Sequence, residues 1–230
     1  MAKRDYTLVC HDDDPKWLSY RFNHVTASES SALMGRCPWA DRDDLLRQKI
    51  SCSSDFKGTR NTWWGSEMER FNMEMFTRVS GIRTRPCNAF VRSNETPLLA
   101  ATIDGFALRP QRDYDTYPIA LKEDWTVELR DALRSRSSLG LIEMKNTEAW
   151  WRKNWTPSPP EHYIIQVQQQ LYVMGLDWCI LCAKVGAADM VAYLIDYDPL
   201  LVDEIKEDAE EFWEEVENGR RDLEEFHRRA

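Results

Sequence analysis

The 230-residue chain lacks the long apolar runs of a membrane protein, since a stretch such as residues 190–195 is far too short to cross a bilayer. Its first residues include a basic start but neither an apolar segment nor a small-residue cleavage site, so no export signal is expected. The six cysteines are scattered along the chain, which predicts reduced thiols rather than a disulfide framework. We therefore expect a soluble, cytoplasmic protein with no membrane partner.

Glycine-rich phosphate loops and histidine clusters are also missing. None of the nine glycines forms a phosphate-binding loop, so ATP is not expected. The four histidines have no ligand spacing with cysteine, and no Ser-His-Asp arrangement is evident. Cys179-x-x-Cys182 has the spacing of a metal-binding pair, but it lies in an apolar segment without a second pair. Core cysteines are therefore the preferred interpretation.

The chain is acidic, with a net charge of −9, but the charge is concentrated in one segment. Residues 203–217 contain nine acids and one base, which leaves the rest of the chain close to neutral. A nearly balanced remainder has room for local basic patches. The net charge therefore excludes no class of partner, nucleic acid included.

Hydrophobic spacing predicts helices that flank a small sheet. A short helix is expected after Thr26, with Glu29 completing a capping box and Gly35 ending the helix. Further helices are predicted over 41–50, 62–79, 161–175 and 199–217, and strands over 98–103, 141–145, 178–185 and 190–196, with a possible edge strand at 125–129. This order predicts a single domain over 1–230 of the α/β or α+β class, with a central mixed sheet.

Two carboxylates and a lysine are predicted to converge on neighbouring strands. Asp104 ends one apolar strand, and Glu143-x-Lys145 lies in another, where alternation directs both side chains to one face. Such a group suits Mg²⁺, which takes one or two carboxylates and keeps several waters, and it suits phosphodiester cleavage. Taken alone, Glu-x-Lys is a weak signal, for which a salt-bridge ladder on a surface strand is the preferred interpretation.

These residues resemble the metal-binding signature of the PD-(D/E)XK nuclease superfamily, with Ile103 where proline is usual. More specifically, the chain resembles the lambda exonuclease and YqaJ-type viral recombinase family, from about Trp17 to Trp213. The resemblance is carried by six blocks in order: Trp17-x-x-x-Arg21, Thr26-Ala27-Ser28, Trp64-Gly65-x-x-x-Glu69, Thr102-Ile103-Asp104-Gly105, Glu143-Met144-Lys145 and Tyr163-x-x-Gln166-x-Gln168. It implies a restriction-endonuclease-like core.

The resemblance also implies catalytic roles. Asp104, Glu143 and the main-chain carbonyl of Met144 would bind Mg²⁺, with two ions expected and Mn²⁺ able to substitute. Lys145 would be the catalytic lysine. Glu69 would assist the second ion or the attacking water, although it could equally be a solvated helix residue. Gln166 would face the site, whereas Gln169 and Gln170 are interpreted as part of a polar helix face.

A second set of residues would contact the DNA. By resemblance, Arg21 and Ser28 hold the 5′-phosphate of a DNA end, which agrees with the way a guanidinium pairs with phosphate oxygens. Thr102 adds a hydroxyl, and Tyr163 precedes Gln166 by one turn. Trp17 is either a wedge at the duplex end or a core anchor. The aromatic residues Trp150, Trp151 and Trp155 could stack on DNA, or they could pack internally.

The function implied is a Mg²⁺-dependent 5′→3′ exonuclease acting on ends of double-stranded DNA and leaving 3′ overhangs. The expected partners are a phage single-strand annealing protein and two further copies of the chain, in a homotrimer that encircles DNA. A phage- or prophage-encoded protein in a bacterial host would be cytoplasmic. Residues 110–138 are interpreted as an insertion relative to this family.

Several alternatives stay open. The chain could be another PD-(D/E)XK nuclease, either an endonuclease or a Cas4-like iron–sulfur nuclease, although the latter needs four clustered cysteines. It could be a DNA-end-binding module without catalysis, or an acidic scaffold protein with an accidental signature. Metal binding and cleavage of closed circles distinguish these possibilities.

Overall fold

A seven-stranded sheet lies at the centre of the molecule, with helices on both faces. The computed structural model describes residues 6–11, 14–54, 60–110, 124–186 and 189–229. The strands are β1 (Tyr6–His11), β2 (Val25–Thr26), β3 (Thr84–Ser93), β4 (Leu99–Leu108), β5 (Leu139–Thr147), β6 (Trp178–Val185) and β7 (Asp189–Asp196). The helices are α1 (Trp17–Phe22), α2 (Ser30–Leu33), α3 (Arg42–Ser51), α4 (Arg60–Ser80), α5 (Asp124–Leu133), α6 (Glu161–Met174) and α7 (Pro199–Arg229), with 3-10 segments at Ala27–Glu29 and Ala149–Trp155.

The sheet is mixed, as predicted. Its order is β1-β3-β4-β5-β6-β7, with β2 pairing a separate part of β4. The β2–β4 and β5–β6 pairs are parallel and the other pairs are antiparallel. Helix α6 makes the crossover between β5 and β6 that a parallel pair requires. The architecture confirms the expected α+β fold with helices around a central sheet.

One edge of β4 is shared between two partners. At the start of the strand, Leu99 and Ala100 pair with β2. At its end, residues 105–108 pair with β5. Residues 101–104 lie between these two ladders, and in the described residues no strand pairs with them on this edge. Their backbone groups therefore need other hydrogen-bond partners.

Alternation along β5 separates two hydrophobic layers. Leu141 packs with the cluster beneath α6 and α7, which also contains Leu171 and Phe212. Ile142 and Met144 pack on the opposite face, against residues of α4 and α5. Glu143 and Lys145 alternate with them and therefore point toward α6, as the sequence predicts.

Helix α7 confirms the predicted amphipathic element and continues beyond Val216 to Arg229. Its buried stripe consists of Val202, Ile205, Ala209, Phe212 and Val216. The acidic residues lie on the remaining faces, where Glu215 pairs with Arg42 at 2.6 Å. In the described residues, no helix is long and apolar enough to cross a membrane.

Two sequence interpretations of local structure are wrong. Residues 125–129 are not an edge strand, because they lie in α5, where Leu129 and Leu133 are buried four residues apart. The strand predicted over 98–103 continues to Leu108, so Asp104 lies inside β4 rather than at its end. Short apolar segments do not distinguish helix from strand by periodicity.

Strand β3 is not predicted, because Pro86 reads as a chain break. The strand accommodates it through an irregularity between Pro86 and Ala89, where the register with β4 shifts and Asn88 adopts a φ of 48°. The interpretation of 110–138 as an insertion falls partly outside the described residues, since only 110 and 124–138 are described.

Gly140 provides a test of the packing beneath the sheet. A Cβ at this position would overlap the buried indole ring of Trp178, whereas a Cβ at Gly65 in α4 would meet no atom within 4 Å. We predict that Gly140→Ala lowers the free energy of unfolding by about 1–3 kcal/mol through overpacking. Gly65→Ala, the matched control, should raise it by about 0.5–1 kcal/mol through helix propensity. Equilibrium denaturation measures the free energy of unfolding of both variants. Equal changes in the two variants would contradict close packing of Gly140 against Trp178.

Candidate active site

Glu143 is a buried carboxylate held by three N–H donors. Its side chain is only 4% exposed. Lys145 Nζ and Gln166 Nε2 each donate to Oε1 at 2.6 Å, and Gln170 Nε2 donates to Oε2 at 2.6 Å. These bonds offset the cost of burying a charge. They use about three of the four lone-pair positions of the carboxylate, which leaves room for one more ligand.

Asp104 lies where β4 and β5 separate. The ladder between the two strands ends at the Gly105–Ile142 pair. Beyond it, the Met144 N–H donates to Asp104 Oδ2 at 2.8 Å, so the carboxylate replaces a strand as the partner. The N–H and C=O of one strand residue point to the same side, so the Met144 carbonyl also faces Asp104. The structure thus brings Asp104, Glu143 and Met144 together.

The electrostatics of Asp104 indicate crowded carboxylates. Burial raises the pKa of Asp104 well above its ordinary value, and the Glu143 and Glu69 carboxylates raise it further. The Lys145 ammonium and the Met144 N–H offset this only in part. Glu69 of α4 is therefore close enough to act on the same site. A cation between these groups would relieve their repulsion.

Lys145 lies between the carboxylates and α6. Its Nζ also donates to Gln166 Oε1 at 3.0 Å and lies 4.8 Å from the centre of the Tyr163 ring. Although burial opposes the charged form, the Glu143 and Asp104 carboxylates raise the pKa of Lys145 above its ordinary value. Lys145 is therefore an ammonium at neutral pH. It can donate hydrogen bonds and stabilise negative charge, but it is a poor proton acceptor.

The glutamines of α6 correct one prediction. Gln169 and Gln170 do not form a polar surface, because both are buried. Gln170 Nε2 donates to Thr102 O at 3.0 Å as well as to Glu143, and Gln169 Nε2 donates to Ala100 O at 2.8 Å. The two side chains thus donate hydrogen bonds to carbonyls of β4, one within the unpaired stretch and one beside it. Thr102 reaches the site through its carbonyl, and its buried Oγ1 has no hydrogen-bond partner among the described residues.

Trp17, Arg21 and Ser28 form a second group. Arg21 Nη2 donates to Ser28 Oγ and to Glu29 Oε1, each at 3.2 Å. The guanidinium carbon lies 4.9 Å from the centre of the Trp17 ring. Trp17 packs on the cluster around Phe90, so it is at least in part a core anchor. The predicted capping box of Thr26 and Glu29 is present.

Gln169 connects the two groups. Its Oε1 accepts a hydrogen bond from Ser30 Oγ at 2.5 Å, and its Nε2 also donates to Val25 O at 2.9 Å. Gln169 therefore links the segment that carries Ser28 to α6. The next residue of α6, Gln170, contacts Glu143. Sequence analysis missed this connection, and the only available signal was the run of three glutamines in an otherwise apolar helix.

The donor set fits a hard divalent cation. In the described residues, no three His, Cys, Asp or Glu side chains are arranged to bind a metal. The oxygen donors that do converge are Asp104, Glu143 and the Met144 carbonyl, with Asp104 Oδ2 accepting from the Met144 N–H. Two carboxylates and a carbonyl, completed by water, are ligands that Mg²⁺ accepts.

The other candidates are structural or exposed. Cys179 and Cys182 are buried in the two different hydrophobic layers, so they cannot share a ligand, and their interpretation as core residues is confirmed. Trp155 is buried and stacks on Tyr163 at 5.3 Å, which supports packing rather than DNA contact. Trp150 is exposed and contacts Trp151.

A mixed sheet with an aspartate on one strand and Glu-x-Lys on the next defines the restriction-endonuclease-like PD-(D/E)XK fold class. The YqaJ-like viral recombinase domain model matches residues 16–177, which is well over half of the chain. The chain therefore belongs to the YqaJ-like viral recombinase family.

One curated relative is the YqaJ protein of Bacillus subtilis strain 168, which is 23% identical over 202 residues. The match covers 86% of this chain and 54% of that protein. The chain therefore spans about half the length of this curated relative.

Solved structures share the fold. The alkaline exonuclease LHK-Exo from Laribacter hongkongensis is 19% identical with a TM-score of 0.67, and the match covers 94% of this chain and 99% of that chain. The structure of LHK-Exo in complex with dAMP is 18% identical in sequence, with a TM-score of 0.68 and the same coverage. A phage-related exonuclease from Haemophilus somnus 129PT is 13% identical with a TM-score of 0.56, and the match covers 87% of this chain and 96% of that chain.

His162 generates a test at the rim of this site. Its ring lies 4.0 Å from that of Tyr163, and burial, together with the Lys145 charge, lowers the pKa of His162 to about 4. The unfolded chain accepts this proton near pH 6.5, so acid favours unfolding. We predict that the stability due to neutral His162 is complete above about pH 6.5 and is lost as the pH falls toward 4. His162→Gln should remove that part of the pH dependence in denaturation curves, and a parallel shift of the whole curve would contradict the prediction.

Proposed function

We propose that the chain is a Mg²⁺-dependent exonuclease that digests one strand of linear double-stranded DNA from its ends. The observation that carries this proposal is the convergence of Asp104, Glu143 and Lys145 where the β4–β5 ladder ends. Two carboxylates and an ammonium suit phosphodiester hydrolysis. Membership of a viral recombinase family supports it, as does the shared fold of an alkaline exonuclease and a phage-related exonuclease.

The catalytic roles follow from the contacts. A cation bound by Asp104, Glu143 and the Met144 carbonyl would polarise the phosphodiester and lower the pKa of a bound water, and two such ions are proposed. The Lys145 ammonium stabilises the charge that develops on the phosphate oxygens. Gln166 accepts from Lys145 and donates to Glu143, so it fixes the distance between them. Glu69 supplies a further acceptor for water. Mn²⁺, with similar oxygen preferences, should substitute.

We further propose 5′→3′ polarity, with Arg21 and Ser28, on the segment that Gln169 connects to α6, as the residues that hold a terminal phosphate. In the contacts among described residues, Arg21 uses only its Nη2, and a guanidinium carries five N–H donors. Its remaining edge can pair with a terminal phosphate, assisted by the Ser28 hydroxyl. We assign Trp17 and Tyr163 to the same DNA path, whereas the buried hydroxyl of Thr102 does not reach it. Digestion from a bound 5′ end leaves a 3′ single-stranded overhang.

The biological setting proposed is phage-type recombination by strand annealing, in the cytoplasm of a bacterial host. The overhang would pass to a phage single-strand annealing protein. A homotrimer encircling the duplex would keep the acidic faces of α7 away from DNA, and the nearly neutral remainder of the chain could provide a positive channel. ATP is not required in this scheme.

Strand-specific digestion tests the proposal. Linear duplexes labelled on one strand are incubated with the protein in Mg²⁺ or in EDTA, beside a covalently closed circle. At each duplex end, we predict Mg²⁺-dependent loss of the strand whose 5′ terminus lies at that end. The closed circle should remain intact. Lys145→Ala and Asp104→Ala should each remain folded and lose at least about a hundredfold in rate, because each removes charge stabilisation at the reacting phosphate.

The alternatives correspond to other outcomes of the same assay. Cutting of the circle would indicate an endonuclease, and loss of the 3′-ended strand would refute the polarity. DNA-end binding without cleavage in any divalent metal would indicate an inactive binding module. Full activity in either variant would contradict the site assignment. A Cas4-like cluster is disfavoured, because no described cysteine belongs to a group of three or more side chains that could bind a metal.

A further inference from the structure

Lys49 is a fully buried lysine directly behind Arg21. It lies near the end of α3, and its side chain is 1% exposed. Its three N–H donors each meet an acceptor: Arg21 O at 2.6 Å, His24 O at 2.8 Å and Glu29 Oε2 at 2.7 Å. A buried ammonium that is completely satisfied is costly to build, so its presence calls for an explanation beyond packing.

Glu29 lies between two cations. Its Oε1 accepts from Arg21, and its Oε2 accepts from Lys49 and from the Thr26 N–H at 2.9 Å. Although burial alone would raise it, the pKa of Glu29 is lowered by Lys49 and Arg21, so the carboxylate is ionised. Arg21, Glu29 and Lys49 thus form a group of two positive charges and one negative charge.

The charge count decides what Arg21 can bind. If Glu29 faced Arg21 alone, the pair would be neutral, and a phosphate would have to compete with an ionised carboxylate for the guanidinium. With Lys49 behind Glu29, the group keeps a net positive charge, while Glu29 still holds the Arg21 side chain in place. Because the group is largely shielded from water, this difference is weakly screened.

Helix α7 closes the back of the group. Arg220 donates from Nη2 to Lys49 O at 2.7 Å and to Phe22 O at 2.8 Å, and from Nη1 to Asn23 Oδ1 at 3.2 Å. The ends of α1 and α3 are therefore fixed to each other. Lys49 has no route to solvent or to DNA, so it can act only through its neighbours.

We infer that Lys49 is a positioning residue whose buried charge keeps the Arg21–Ser28 pocket cationic, so that it can accept the 5′-terminal phosphate of DNA. The inference rests on the proposed function, since it assigns a ligand to the same pocket. It goes further in naming a residue outside the pocket that determines whether 5′-phosphorylated and 5′-hydroxyl ends are distinguished.

Binding without catalysis tests the inference. Blunt DNA hairpins with a 5′-phosphate or a 5′-hydroxyl, labelled in the loop, are titrated in EDTA and followed by fluorescence anisotropy. The quantity compared is the ratio of the two dissociation constants. The variants are Arg21→Ala, Lys49→Met, Glu29→Gln and the double variant Lys49→Met with Glu29→Gln. Lys206→Met, at a partly exposed lysine of α7 paired with Asp203, is the control.

The charge account predicts a distinctive pattern. Lys49→Met should reduce the preference for 5′-phosphate by about tenfold, approaching Arg21→Ala, because Glu29 then neutralises Arg21. Glu29→Gln should not reduce it, and the double variant should recover to within about threefold of the unmodified protein, because one net positive charge returns. Lys206→Met should behave like the unmodified protein.

Several outcomes would overturn the inference. One is a folded Lys49→Met variant with the full preference, and another is an equal loss in Lys49→Met, Glu29→Gln and the double variant, which would indicate a purely structural role. If Lys49→Met fails to fold, Lys49→Gln replaces it, since its amide removes the charge and can still donate a hydrogen bond to Glu29. No phosphate preference in the unmodified protein would also overturn the inference. Failure of the nuclease proposal is separate, because it appears as absent cleavage in Mg²⁺ while binding is measured in EDTA.

Discussion

The organisation of the candidate site depends on one unpaired stretch of strand edge. Strand β4 pairs with β2 at its start and with β5 at its end, and residues 101–104 between them have no strand partner on that side among the described residues. Buried backbone groups must be hydrogen-bonded, so this gap demands substitutes. Gln170 of α6 supplies one for the Thr102 carbonyl, and Gln169 binds the Ala100 carbonyl where the β2 ladder ends. The Asp104 carboxylate does the same for the N–H of Met144 on β5. Those same side chains build the site, since Gln170 also binds Glu143 and Gln169 also binds Ser30.

The gap also explains why acidic groups collect at a buried point of the sheet. Where two strands separate, side chains can enter between them without breaking a ladder, and Asp104 does so. Burial and the neighbouring carboxylates raise the pKa of Asp104, which fits the cation site proposed above. Lys145 and the amides of Gln166 and Gln170 hold Glu143 in place through hydrogen bonds. The proposed phosphate site has the opposite sign, because Glu29 lies between Arg21 and Lys49 and the group retains a positive charge.

Much of this arrangement is predictable from local sequence. The alternation of Leu141 to Lys145, the helical spacing of 161–175 and the acidic stripe of α7 depend on near neighbours, and each prediction is confirmed. Features that depend on distant partners are not predictable in this way. Strand β3 passes through Pro86 because a bulge absorbs it. Gln170 of α6 is buried because a stretch of strand edge 68 residues away in the chain lacks a strand partner. Lys49 reads as an ordinary surface residue, since its three acceptors come from α1, its C-terminal turn and Glu29. The site roles that rest on family resemblance stay predictions.

The central claim is that Asp104, Glu143 and the Met144 carbonyl form one cation site where β4 and β5 separate. Crystals of the protein soaked in Mn²⁺, with diffraction recorded at a wavelength sensitive to manganese, test it most directly. The account predicts an anomalous peak within about 2.0–2.4 Å of oxygens from all three residues, as expected for a hard divalent cation. A peak bound elsewhere, or no peak at this position at saturating Mn²⁺, would contradict the account.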